Sequence, residues 1–316
     1  MMNKVLILLL LGCLALSACA SPLPANCPPS CFDVNLANKD LHGVDLSKAQ
    51  LIEADLSKTN LSGVNLSEAD LSGAVLSEAN LRDANLMNVI LFGTEAQKAN
   101  FGNANLQNAN LSGANLTGAN FTGAKLGGAK FGSADLTQVL LNGIDLSNNN
   151  LSGVTLMGAR LSASNMSNSI VTGATMSGAD MSGALLMKTN LIGTWMNLTN
   201  LGGANLSGAN LNGTSLYGAS LAGANLNKAT LRGAMLVGAH LNGADLRGAD
   251  LTGATLIYAE PLDLGNAATN DPVVSSLNAA KRAPLNQNAD FNGALYDKST
   301  LWPEGFQIPP EATLQN

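Results

Sequence analysis

Residues 109–131 read ANLSGANLTGANFTGAKLGGAKF. Leu111, Leu116, Phe121, Leu126 and Phe131 recur at every fifth position. A helix near 3.6 residues per turn does not give that spacing, and neither does a strand with its period of 2. The register runs without insertion from Leu36 to Leu256. The residue at its centre is Leu, Phe, Met or Val at every step except Ala96. Two residues before each centre stands a small side chain, usually Ala, and a mostly polar residue lies between them. Ser, Thr or Asn follows the centre, and very often Gly comes next.

One unit translates directly into geometry. The small residue, the polar residue and the centre alternate in, out, in, which is a strand of about three residues. The next two, such as Ser112-Gly113, are turn formers. If each corner turns the chain by about 90°, four units close one coil of 20 residues. Successive coils then stack at the strand spacing of about 4.8 Å, and the centres fill the bore. The pattern resembles that of the pentapeptide-repeat family, A(D/N)LXX, over Asp33 to Ile257. That resemblance implies an all-β fold, a right-handed quadrilateral parallel β-helix. Forty-five centres imply about 11 coils and a rod of roughly 50–55 Å.

Departures from the pattern carry their own expectations. Ala96 leaves a core position short of side chain, and Phe101 on the adjacent side is expected to fill part of it. Phe121 and Phe131 are ten residues apart, hence on opposite sides, and are expected to meet across the axis. Met166, Met176, Met181 and Met196 read as core filling. The regular pattern stops near Glu260-Pro261. Asp271-Pro272 opens a helix expected over about 272–282. Ala289–Phe306 reads as two more units and a closing motif that covers the last coil.

The N-terminus is set apart from the fold. Lys4 precedes an apolar run, Val5–Leu16, too short to span a membrane but of signal-peptide length. Leu16-Ser17-Ala18-Cys19 follows and resembles the lipobox of bacterial lipoproteins. The resemblance implies cleavage before Cys19 and a lipid on its thiol. The expected organisation is a signal peptide at 1–18, an anchor linker at 19–32, the β-helix at 33–260, and a tail and cap at 261–316. The expected location is the bacterial cell envelope, lipid-anchored, at the outer membrane facing the periplasm. Cys27 and Cys31 remain as an even pair in an oxidising compartment. They read as a small-loop disulfide, with a redox-active pair as the alternative.

The chain offers little for catalysis. No phosphate loop, dinucleotide fingerprint or GxSxG motif occurs, and no cofactor or metal is expected. His42 and His240 are 198 residues apart, nearly ten coils. A convex rod without a cleft excludes water poorly, so the expectation is a non-enzyme. Some pentapeptide-repeat proteins mimic DNA and protect topoisomerases, which requires a dense negative surface. Here Phe101–His240 carries three acids against six bases, so nucleic-acid mimicry is the alternative reading rather than the leading one.

The outward positions show one irregularity. On the side holding Leu216 and Leu236, the residues Trp195, Tyr217, Met235, Val237 and Ile257 form an apolar stripe among mostly polar neighbours. Ile52, Ile90 and Phe92 form a smaller group. Such a stripe marks contact with the chain's own tail, a protein partner or a second copy. The leading expectation is a membrane-tethered structural or interaction module with an unknown protein partner.

Overall fold

The computed structural model describes residues 23–24, 26–256 and 289–315. Over 31–256 the backbone repeats one unit, a two-residue turn and then a single residue bridged to the coils above and below. Bridges join these residues to those 20 positions on, always parallel, as in Asn35↔Asp55↔Val75. One coil is therefore four units. The fold is the right-handed quadrilateral β-helix.

Each side is shorter than the three-residue strand expected. It yields one bridged residue, because the turn takes two of the five and the centre leads straight into it. In each unit the centre carbonyl accepts from the amide three residues on, as in Ala49 N to Leu46 O at 3.1 Å. The third residue of that turn has positive φ, 59° at Lys48 and 67° at Gly113, as a type II turn requires. That is why Gly recurs at this position. Three further bonds tie each side to its neighbouring coils. Leu56 N donates to Val75 O at 2.8 Å, Lys58 N to Ser77 O at 2.9 Å, and Asp55 N to Val34 O at 2.9 Å.

Four walls result. The first carries the centres Leu36, Leu56 and onward by twenty, the second Leu41, the third Leu46 and the fourth Leu51. Every centre from Leu36 to Leu256 is buried, including Ala96, Phe101 and all four core methionines. Burying a Leu side chain stabilises by about 1.5–3 kcal/mol, so the bore is the main source of cohesion. The expected contact of Phe121 with Phe131 is not made. Phe121 stacks on Phe101 instead, with ring centroids 4.8 Å apart and planes 8° apart. Both are second-wall centres in successive coils, so parallel stacking one strand spacing apart is closer than reaching across the axis.

Both ends are closed. Cys31 stands in register as a fourth-wall centre, 2% exposed, and is disulfide-bonded to Cys27. At the other end the register resumes 30 residues late, because Asp290 bridges His240 and Leu295 bridges Asp245. Strand β1, Leu295–Tyr296, pairs in parallel with β2, Thr313–Leu314. Phe291, Trp302 and Phe306 pack over the bore, with ring centroids 5.3–5.8 Å apart. The closing role expected of Ala289–Phe306 is thus visible in the aromatic lid, whereas the helix expected over 272–282 lies outside the described residues.

Carboxylates hold this end. Arg247 hydrogen-bonds Asp245, the Asn292 amide bonds Asp290, and Ser299 bonds Asp297, each lowering the carboxyl's pKa. A lowered folded pKa stabilises the fold above the unfolded value of about 3.9, and the contribution is lost as pH falls through the folded value. In a Trp195→Phe background, Trp302 fluorescence should therefore report opening of the lid below about pH 4, before far-UV circular dichroism is lost. Simultaneous loss of both signals would count against a carboxylate-held lid. The turn makes a second prediction. Gly183 has φ 64° and open space where a Cβ would stand, so Gly183→Ala should cost about 1 kcal/mol through the backbone alone. Ala163, exposed at φ 56°, should gain stability on change to Gly, read from urea midpoints.

Candidate interaction surfaces

The outer walls are built from side chains held in fixed positions. On the second wall Asn120, Asn100, Asn80 and Asn60 form a ladder, each amide donating to the residue one coil below at 2.9–3.3 Å, and Asp40 accepts at its foot. Asp45 does the same for Asn65 and Asn85 on the third wall. Its pKa is lowered, chiefly by the Ser47 amide. A ladder of aligned donors needs an acceptor-only group at its end, which a carboxylate supplies.

Against this polar background the expected stripe is only partly present. Trp195 and Met235 stand on the first wall, 38% and 39% exposed, two coils apart with nearly buried Ser215 between. Tyr217 is half-buried at the following corner. Val237, one coil above Tyr217, is 5% exposed and is removed from the contact surface. Outward register therefore does not ensure exposure at this corner, where Asn197 is also fully buried and accepts from Ser215 and from the Tyr217 amide. Ile257 and Cys19, the residue expected to carry a lipid, lie outside the described residues.

The exposed apolar residues follow a coil rather than a single wall. Leu185, Met187, Ile192 and Trp195 girdle three walls within one coil, and Ile170 lies just below on the fourth. Met87, Ile90 and Phe92 form a second, smaller girdle on the same two corners. Met87 and Met187, like Phe92 and Ile192, are 100 residues apart, five coils on one edge or about 24 Å. The sequence signal for the larger girdle lies in the outward positions of Leu185, Met187 and Ile192, which are spread over more than one wall.

Midway between the girdles the column opens. Bridges are missing between Lys125 and Asp145 and between Lys130 and Asn150 on the third and fourth walls. A cleft of about 600 Å³ lies between Ala124–Gly128 and Asp145–Asn149, and it is continuous with one of about 400 Å³ reaching Phe131 and Ser152. No expectation anticipated it. Among the described residues no cluster of His, Cys, Asp and Glu could hold a metal ion, and no helix is long and apolar enough to cross a membrane.

A column of uniform five-residue units with closed ends defines a class of proteins, and the comparisons agree. The family described as Pentapeptide repeats matches in eight copies, over stretches running from 30–63 to 234–260. The chain belongs to that family. Among solved structures it is similar to HetL, a pentapeptide repeat protein involved in heterocyst differentiation regulation from the cyanobacterium Nostoc sp. Strain PCC 7120. The two are 32% identical over 72% of this chain and 82% of HetL, with a TM-score of 0.30. A thylakoid-lumen pentapeptide repeat protein from Arabidopsis thaliana is 35% identical over 33% of this chain and 68% of its own, with a TM-score of 0.27. QnrB1, a plasmid-mediated fluoroquinolone resistance protein, is 18% identical over 60% of this chain and 92% of its own, with a TM-score of 0.34. No curated protein matches the chain.

The girdle yields a direct test. Replacing Trp195 and Ile192 together by Ser removes exposed apolar surface and no core centre. More than half of each side chain is covered, so stability should fall by a few kcal/mol, about what their covered apolar area supplies, while the fold is kept. Binding of the hydrophobic dye ANS should fall. Unchanged dye binding in a folded variant would show that these residues do not form the exposed apolar surface.

Proposed function

We propose that this protein is a non-enzymatic interaction module, a stiff rod held beside a membrane by an N-terminal lipid and docking a protein partner on its walls. The observation that carries the reading is the girdle of Leu185, Met187, Ile192 and Trp195 on a mostly polar column. Isolated apolar residues on a surface are ordinary, but four around one coil form a contact feature. The stacked Asn ladders support it, because a wall that does not rearrange loses little side-chain entropy on binding.

The tether is argued from the sequence. The apolar run Val5–Leu16 and the lipobox-like Leu16–Cys19 supply the anchor. Multiple acyl chains make such anchoring stable, at about 0.8 kcal/mol per buried methylene. From Ala20 to Ser30, where the ladder starts, the linker is short and contains Pro22, Pro24, Pro28 and Pro29, so the rod stays near the lipid surface. The location that follows is the bacterial envelope, at the outer membrane facing the periplasm.

Fractionation tests the tether. Wild type should partition with membranes, and Cys19→Ala should be recovered in the soluble fraction or retained as uncleaved precursor. Recovery of both proteins in the cytosol would contradict the tether and leave topoisomerase protection by DNA mimicry as the reading to test.

A further inference from the structure

The opened walls coincide with a change in the residues that line the bore. The coil above the gap carries Val139, Ile144, Asn149 and Val154 at the four inner positions preceding its centres. The coil below carries Ala119, Ala124, Ala129 and Ala134 there. Four enlarged inner side chains in succession coincide with the open walls, and added core volume is accommodated by moving backbone. The coils part on the third and fourth walls. Asn149 bridges the gap, its Nδ2 donating to Leu126 O at 3.0 Å while its Oδ1 accepts from Gly128 N at 3.3 Å. In closed coils a threonine at the same position reaches the equivalent carbonyl, as Thr59 does to Leu36 O and Thr189 to Met166 O, both at 2.8 Å. Asn149 is the longer strut that spans an open coil.

The gap leaves main-chain groups exposed at β-ladder spacing. The amides of Leu126, Phe131 and Ser133 on the lower lip have no backbone acceptor among the described residues. The carbonyls of Asp145, Asn150 and Ser152 on the upper lip have no backbone donor. Gly127, Gly128 and Gly132 leave the corners of the lower rim without side chains, so another backbone can approach closely there. Lys125 and Lys130 stand exposed on that rim without an ion pair among the described residues. An isolated anion would use the donors and lysines and leave the carbonyls idle. A peptide backbone answers both lips.

We propose that this wedge takes an extended acidic segment of a partner protein by strand addition, its backbone pairing with the lips and its carboxylates meeting Lys125 and Lys130. The apolar girdles on the same edges, two coils beyond each lip, flank the site. The inference rests on the interaction-module reading but not on the tether, so failed peptide binding leaves the fractionation result intact.

Displayed octapeptides with aspartate at alternate positions, selected against the full-length protein, test the proposal. Enrichment is expected, and hydrogen exchange of the purified complex should show new protection at Leu126, Phe131 and Ser133. Lys125→Ser/Lys130→Ser should weaken the selected peptide about tenfold or more with unchanged melting temperature. Val139→Ala, Ile144→Ala, Asn149→Thr and Val154→Ala together, which remove the added inner volume, should protect the same amides without peptide and abolish binding. Absence of enrichment, protection elsewhere on the rod, or unchanged affinity in the lysine variant would each overturn the proposal.

Discussion

Everything in this molecule depends on the pairing of each residue with the one 20 positions further along. A side of one bridged residue is too short to be a stable strand alone. It persists because the bonds above and below it are made by the same chain in the same register. Burial and pairing are locked together. A centre can fill the bore only if its amide meets the coil above, and that amide stays in place only while the bore is filled. Stability is then a sum over neighbouring coils, and the ends are where it is weakest. The buried disulfide at Cys31 and the aromatic lid of Phe291, Trp302 and Phe306 stand at those two places.

The same constraint shapes the surface. A strict five-residue unit commits two positions to the core and two to the turn, leaving one outward residue per side and the corner positions to vary. Function has to be written there. The column uses that freedom sparingly. Most outward residues extend Asn ladders or bond their own corner, so the exposed girdle at Leu185–Trp195 stands out physically as well as compositionally.

The period of five carried the architecture, since the coil length, the buried centres and the glycine turns follow from residue order and turn chemistry. Finer features depended on interactions that a one-dimensional pattern does not encode. Residue spacing fixes the side of the column on which Phe121 stands, but the preference of its ring for Phe101 one coil below comes from stacking distance. Val237 occupies an outward register position yet is buried, which register alone does not encode. The wedge did leave a trace in the run Val139, Ile144, Asn149, Val154. Its significance lies in summed core volume rather than in any single residue, and a position-by-position comparison with Ala does not register it.

The central claim is that 20 residues make one coil about 4.8 Å high throughout the column. Pulsed electron–electron resonance between spin labels at Asn88 and Lys188, exposed corner residues 100 positions apart, measures this directly. The account predicts a narrow distance distribution centred at about 24 Å, five coils along one edge. A broad distribution, or one centred beyond about 40 Å, would contradict the four-sided coil.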